Sequence, residues 1–156
     1  MTDISFQQES GVFNYRVAGV WRMNNHVLIH KSIHKGNWAL PGGRVQLMET
    51  SKESLTREFQ EELGVEIKVK NLLWTTENFF HFDGKAFHEI GLYYEVVVPS
   101  ETVIRAETFS GLEEDRKDLI YKWVPITELT QYTIQPDFLV DALQNLSPHP
   151  EHIVIR

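Results

Sequence analysis

One segment of this chain, from Thr50 to Gly64, carries a full set of signals for a single amphipathic helix. Thr50 is followed three residues later by Glu53, the spacing of a capping box at a helix start, and Gly64 stands where a left-handed residue would end the helix. Apolar side chains recur at every fourth position in between: Leu55, Phe59 and Leu63. The sequence therefore predicts a helix from about Ser51 to Leu63 with one side packed on a core.

The charges on this helix fit a plain surface helix poorly. A solvated face with intrahelical pairs, such as Arg57 with Glu61, is the ordinary interpretation of such a charge run. It does not account for Glu58 and Glu62, which lie four residues apart beside the apolar stripe and repel each other by about 0.2 to 0.5 kcal/mol even when exposed. A divalent cation reverses the sign of that interaction, and oxygen ligands on one face suit Mg²⁺.

Strand patterns precede and follow the helix. Residues 12–21 alternate, and the turn residues Asn24 and Asn25 lead from them into a second strand at 26–33. Residues 66–80 and 87–98 are β-rich, with Asp83 and Gly84 as the turn between them. Residues 119–124 form a further strand pattern, and two short helices are predicted at residues 125–129 and 138–146. Helices inserted among hairpin-like strands predict an α/β protein, an α/β/α sandwich with a mixed β-sheet, built as one domain over residues 1–156.

Composition narrows the functional class. The 156 residues contain no cysteine, which excludes disulfides and thiolate metal sites, and no apolar run long enough to span a bilayer. The first residues lack the pattern of a signal peptide, so we expect a cytoplasmic protein without a membrane partner. A net charge of −7 argues against binding to extended nucleic acid, and an anionic small molecule would need a local positive charge.

Before the helix, Gly42 and Gly43 follow Pro41, and two glycines there predict a sharp turn that could approach a ligand closely. A longer spacing pattern joins this turn to the helix. Gly43 is followed after five residues by Glu49, and after seven more by the run from Arg57 to Val65, "REFQEELGV". This 23-residue pattern resembles the Nudix box, and every fixed charged and glycine position of that motif is matched. The Nudix family then implies a Nudix-type fold, with which the predicted order of strands and helices agrees.

The resemblance assigns roles to residues within the motif. It implies that Mg²⁺ or Mn²⁺ is held by one loop carbonyl and three carboxylates: Gly42, Glu58, Glu61 and Glu62. It also implies that Glu49 and Arg57 form the ion pair that locks the loop to the helix, which completes the expected catalytic set. Two positions depart from the family pattern. Phe59 replaces an aliphatic residue, and Met48 stands where many members have glycine, which bears on the placement of Glu49.

The activity implied by the resemblance is hydrolysis of a diphosphate linkage in a nucleoside diphosphate joined to another group. A carboxylate must accept the proton of the attacking water. Glu58 is one candidate, and the acidic loop "GLEEDRKD" offers Glu113 and Glu114, whose alternative is an exposed solubilising loop. A catalytically idle domain that binds a nucleotide for regulation remains the alternative function. An isomerase of the same fold is disfavoured because those relatives use a cysteine.

Other residues are candidates for substrate binding, each with an ordinary structural alternative. Arg44 would reach a phosphate or be solvated, Trp38 and Phe80 would stack on a base or pack in the sheet, and Glu77 would touch substrate or pair across strands. The last apolar stretch, "HIVIR", is a candidate edge strand, which suggests a homodimer.

Overall fold

The structure is a computed structural model that describes residues 2–99 and 107–156. The strands in these ranges are β1 Ser5–Gln8, β2 Gly11–Met23, β3 His26–Ser32, β4 Gly42–Arg44, β5 Lys68–Phe82, β6 Lys85–Val97, β7 Thr108–Ser110, β8 Leu119–Pro125 and β9 Glu151–Ile155. The α-helices are α1 Ser51–Leu63 and α2 Leu139–Gln144. Two short 3₁₀-helices, Glu114–Arg116 and Ile126–Gln131, flank β8. α2 is therefore shorter than the sequence predicts, and the predicted helix at 125–129 is a 3₁₀-helix.

Both predicted hairpins form, and their turns explain why. Asn24 and Asn25 have φ values of 50° and 62°, and Asp83 and Gly84 have 49° and 75°. Two successive residues with positive φ match the right-handed twist of paired strands, which is why asparagine, aspartate and glycine are favoured there. The turns fix the register of β2 with β3 and of β5 with β6.

The strands join in the order β7-β8-β3-β2-β6-β5-β9, and β1 and β4 also pair with β2. β2 with β6 and β5 with β9 are parallel, whereas the other pairs are antiparallel. The predicted mixed sheet is confirmed. β9 is the last strand of this order, so the edge position suggested by "HIVIR" is present, and the homodimer stays a prediction.

Helical layers cover both faces of the sheet. On one face, α1 inserts Leu55 and Phe59 into a core with Trp21. On the other face, Leu139 and Leu143 of α2 join a second core. That second core includes Val20 of β2, Ile29 of β3 and Trp74 of β5. The predicted α/β/α sandwich is confirmed, and no helix within the described residues is long and apolar enough to cross a membrane.

The space for the site opens where β2 and β3 diverge. These strands pair only next to their turn, at Arg22 with Val27 and Met23 with His26. Beyond that point the chain from residue 39 to residue 44 lies between them: Ala39 forms a bridge with His30, and β4 pairs with residues 16–18 of β2. Gly42 and Gly43, predicted to form a turn, are thus part of strand β4 in the middle of the sheet.

Candidate active site

Helix α1 begins and ends where the sequence predicts. The Glu53 amide donates to Thr50 Oγ1 at 3.2 Å, and the Thr50 amide donates to Glu53 Oε2 at 2.8 Å, so the capping box is reciprocal. Gly64 has φ 67° and its amide donates to the Gln60 carbonyl at 3.0 Å. Because both ends of the helix are fixed, the side chains that face β4 are fixed as well.

Glu49 and Arg57 lock the loop before α1 to the helix. Arg57 donates from Nε to Glu49 Oε2 at 2.8 Å and from Nη2 to Glu49 Oε1 at 3.0 Å, a two-point contact. Ser54 Oγ donates to Glu49 at 2.6 Å, and the Gln46 amide donates at 3.1 Å. These contacts, led by the Arg57 hydrogen bonds, lower the pKa of Glu49 to about 2. Glu49 is therefore ionised at every working pH.

Met48 takes the backbone conformation of a glycine. Its φ is 70°, in the left-handed region, and its side chain is 90% exposed. The loop therefore keeps the path that brings Glu49 to Arg57, although a side chain stands where many Nudix members have none. The cost is local backbone strain at a residue whose side chain gains nothing from burial.

Gly43 is required by close packing against Glu58. A Cβ at this position would overlap the Glu58 carboxyl group. Gly43 pairs with Val17 of β2, so the carboxylate lies directly over the β2–β4 ladder. Only glycine lets the helix bring Glu58 this close to the strand.

The Gly42 carbonyl is directed away from β2. At the two ends of the ladder, Gly19 donates to Pro41 and Val45 donates to Tyr15, both at 2.9 Å. Hydrogen-bonded and non-hydrogen-bonded pairs alternate in an antiparallel ladder, so Gly42 and Arg44 fall at the non-hydrogen-bonded positions. The Arg44 carbonyl accepts from Arg57 Nη2 at 3.3 Å. The Gly42 carbonyl points out on the same side of the strand as that of Arg44.

Three carboxylates converge beside this strand. Glu58, Glu61 and Glu113 each offer an oxygen atom, and these atoms lie within 4.8 Å of one another. Arg57 Nη1 is 3.0 Å from Glu58 and 3.3 Å from Glu61. One guanidinium, already engaged by Glu49, therefore faces the group from one side.

The acidic loop contributes Glu113 and not Glu114. The Leu112 amide donates to the Glu62 carbonyl at 2.8 Å, which docks the loop on the C-terminal end of α1 and directs the next residue, Glu113, to the carboxylates. The Glu114 side chain is 94% exposed and lies 4.0 Å from Lys117. The structure thus separates two residues that the sequence left equivalent.

Glu62 lies deeper than the other glutamates. It is 7% exposed, and the Tyr121 hydroxyl donates a hydrogen bond to Glu62 Oε2 at 3.1 Å. Burial, reinforced by the nearby Glu58 carboxylate, raises the pKa of Glu62 to about 8. Burial also raises the pKa of Glu58 and of Glu113. Several carboxyl groups are thus held where their charge is unfavourable.

The donor set fits a hard divalent cation. Three carboxyl groups converge at one end of α1, those of Glu58, Glu61 and Glu113. The predicted ligand Glu62 is outside this group of three but close enough for the Glu58 charge to raise its pKa, and Gly42 lies on the neighbouring strand β4. Mg²⁺ and Mn²⁺ prefer such oxygen ligands, and a doubly charged ion offsets both the repulsion and the cost of burial.

Arg16 is a functional candidate that the sequence reasoning missed. It opposes Arg44 at a non-hydrogen-bonded position, where side chains are close and like charges repel. Its Nη2 donates to the Leu40 carbonyl at 2.9 Å, and its charge reaches Glu62, where it opposes the rise in pKa caused by burial. Arg44 is exposed and 3.9 Å from Asp3. The available signal was an arginine inside the apolar stretch "YRVAGVW".

The other substrate-binding candidates contact residues outside the carboxylate group. The Trp38 ring packs edge-on against Tyr132 at 5.9 Å, and Phe80 stacks on Phe87 at 5.1 Å. Glu77 Oε2 is 2.8 Å from Nε2 of His152. None of these contacts involves a carboxylate of the site, and their roles in substrate binding stay predictions.

Comparison with known proteins places this geometry in a family context. A family model described as NUDIX domain matches residues 14–145. The chain is 43% identical over 60 residues to an ADP-ribose pyrophosphatase of Methanocaldococcus jannaschii, a match covering 36% of each protein. It is 40% identical over 50 residues to an 8-oxo-dGTP diphosphatase of Proteus vulgaris, covering 32% of this chain and 45% of the relative. The chain thus spans less than half the length of these curated relatives.

Solved structures support the same fold. The crystal structure of a NUDIX hydrolase from Nitrosomonas europaea superimposes with a TM-score of 0.61 and 14% identity, over 96% of this chain and 82% of the other. At that identity the likeness concerns the fold alone, and it agrees with the sandwich described above.

Proposed function

The chain belongs to the NUDIX family, and we propose that it is a pyrophosphohydrolase that uses a divalent cation to cleave a diphosphate linkage in a nucleoside diphosphate derivative. Relatives named ADP-ribose pyrophosphatase and 8-oxo-dGTP diphosphatase support this reaction class. Their names differ in the group attached to the nucleotide. The proposal therefore covers nucleoside triphosphates, nucleotide sugars and dinucleotides as substrates.

The observation that carries the proposal is the convergence of Glu58, Glu61 and Glu113 within 4.8 Å. Gathering like charges is unfavourable for folding, and a domain that only packed its helix would gain nothing from it. A binding site for Mg²⁺ or Mn²⁺ gives the arrangement a purpose.

The residues divide the work by position. Glu58, Glu61, Glu62 and the Gly42 carbonyl would hold the cation, with Glu113 beside them. A cation held there would neutralise charge on the diphosphate oxygens. A carboxylate accepts the proton of the water that attacks phosphorus, and Glu58 and Glu113 are the two candidates.

Anion binding is assigned to the two arginines on the neighbouring strands. Arg16 and Arg44 face the same side of the β2–β4 pair. Among the described residues Arg16 has no carboxylate within 4.0 Å, and Arg44 has one exposed partner, Asp3, at 3.9 Å. In a protein with a net charge of −7, they would supply the local positive charge for a phosphate group.

The test is turnover of a panel of nucleoside diphosphate derivatives by the purified protein with Mg²⁺ and with Mn²⁺. We expect release of nucleoside monophosphate together with pyrophosphate, phosphate or the phosphorylated partner group, depending on the substrate, and no release in EDTA. Failure to release any of these products from the whole panel would contradict the proposal. Tight nucleotide binding without turnover would instead favour the regulatory alternative.

A further inference from the structure

We propose that Tyr121 is a positioning residue that orients Glu62 and supports the loop of Glu113, and so sets the affinity of the site for a divalent cation. This inference rests on the proposed function, because it takes the carboxylates as cation ligands. Tyr121 lies on β8, far along the sequence from α1, and belongs to no part of the Nudix box.

The first contact is the hydroxyl group. It donates to Glu62 Oε2 at 3.1 Å, and it is the one side-chain hydrogen bond of Glu62 among the described residues. Tyr121 is fully buried and Glu62 is 7% exposed, so water has little access to replace this bond. The hydroxyl therefore selects one orientation of the Glu62 carboxylate.

The aromatic ring makes the second contact. It stacks on Phe109 of β7 with centroids 5.5 Å apart and lies 5.3 Å from the His30 ring. A Cβ on Gly111 would come to 2.9 Å from the ring and 3.1 Å from the Glu62 carbonyl oxygen. The ring thus supports the backbone at Gly111, immediately before the residues that lead to Glu113.

These two contacts link Tyr121 to two of the carboxylates: to Glu62 directly, and to Glu113 through the loop that carries it. The loop is also tied to α1 by the Leu112 amide on the Glu62 carbonyl, at 2.8 Å. Tyr121 packs against this junction. Its hydroxyl bonds to Glu62, and its ring contacts the loop that carries Glu113. Groups that hold metal ligands from outside the coordination sphere commonly change metal affinity by about 10- to 100-fold when removed.

The experiment measures binding of Mn²⁺ to metal-free protein by electron paramagnetic resonance of the free ion, without substrate. Tyr121→Phe removes the hydroxyl and keeps the ring, and we expect binding about 10-fold weaker with near-normal thermal stability of the metal-free protein. Hydrolysis by this variant should recover at high Mn²⁺ concentration, which a general structural defect would not allow.

Tyr94→Phe is the matched control. Tyr94 is also a buried tyrosine whose hydroxyl bonds to α1, at Ser51 Oγ and 2.8 Å, but at the opposite end of the helix. Its removal should leave Mn²⁺ affinity unchanged. Equal affinity of Tyr121→Phe and the wild type, or equal weakening in both variants, would overturn the inference.

A second variant keeps the test decisive if Tyr121→Phe folds poorly. Gly111→Ala should also weaken Mn²⁺ binding, because its Cβ presses on the Tyr121 ring. Unchanged affinity there would overturn the role of the ring. A wild type that binds Mn²⁺ but hydrolyses nothing would contradict the proposed function alone, and a wild type that binds no Mn²⁺ would overturn both.

Discussion

Carboxylates near the start of α1 and carboxylates in its second half have different roles. Around the start of α1, two carboxylates have complementary partners: Glu53 accepts from the Thr50 amide, and Glu49, just before the helix, is held by Arg57 and Ser54. In the second half, Glu58 and Glu61 converge with Glu113 of the acidic loop, and the buried Glu62 lies near Glu58. Burial raises the pKa of Glu58, Glu62 and Glu113. Arg57 stands between the halves and contacts both.

The charges near the start of α1 stabilise the fold through their partners. The carboxylates of the second half are held together at a cost in stability. Neutralising a charge in the first half should cost stability, because a partner loses its counterpart. Neutralising one in the second half should cost activity and leave stability equal or higher. The predictions below follow that contrast.

The largest effect is expected for Glu58→Gln. Turnover should fall about 100- to 1000-fold, because a cation ligand and candidate proton acceptor is lost, while the protein stays folded. Steady-state hydrolysis and circular dichroism measure the two properties. The control is Glu66→Gln, an exposed glutamate just after the helix, which should change neither. Turnover within a few-fold of wild type would refute the assigned role.

The second prediction concerns pH. Glu62 has a pKa of about 8 in the folded protein, against an ordinary value of 4.5, so the folded state keeps a proton that the unfolded chain releases. The free energy of unfolding of metal-free protein should therefore decrease as pH rises from about 4.5 to about 8, by about 2 to 4 kcal/mol. Urea unfolding in EDTA measures it.

Glu62→Gln is the partner variant for that prediction. It should flatten the pH dependence and be more stable than the wild type at about pH 8. If the variant kept the slope of the wild type, the buried charge at Glu62 would not be its source.

Third, Glu49→Gln should destabilise the protein by about 2 kcal/mol, because Arg57 loses an ionised partner held in a two-point contact. Chemical denaturation at neutral pH measures the change. Glu95→Gln is the control: it breaks an exposed pair with Arg22, at 3.1 Å, and should cost well under half as much. Equal losses would mean that the Glu49 pair is no more than a surface ion pair.

Fourth, Thr50→Ala should cost about 1 kcal/mol, because it removes the acceptor for the Glu53 amide. Thr56→Ala, on the exposed side of the same helix, should be close to neutral or slightly stabilising. Thermal unfolding of both variants gives the comparison. A neutral Thr50→Ala would show that the capping box does not limit the helix.

The smallest effect is expected for Met48→Gly, which should raise stability by about 0.5 kcal/mol. Its φ of 70° is costly for methionine, and a 90% exposed side chain contributes little packing. The neighbouring exposed residue serves as control, since Leu47→Gly, with no positive φ to relieve, should destabilise. Destabilisation by both would argue that Met48 is unstrained.

Prediction from sequence succeeded where the signal is local. The capping box, the Gly64 stop and both hairpin turns each lie within a short stretch, and each formed as expected. The family and the α/β/α sandwich are confirmed. The short strands β1, β4 and β7 were not predicted, because three or four residues carry too little pattern to be recognised.

The rest of the site depends on contacts between distant segments. Glu113 and Glu114 are adjacent in one acidic loop, and only the docking of Leu112 on α1 distinguishes them. Arg16 and Tyr121 lie in ordinary strand patterns, so their nearness to the carboxylates follows from strand order and register. No spacing rule along the chain contains that information.

The parallel pairing of β2 with β6 has a kinetic consequence. β2 and β6 are separated along the chain by β3, β4, α1 and β5. Pairing them therefore closes a long loop, which is slow. A nascent chain that has emerged as far as Val65 already contains the whole Nudix box, yet it lacks β6, β8 and the loop of Glu113. We therefore expect the cation to bind late in biosynthesis, after the chain has folded, and not to initiate folding.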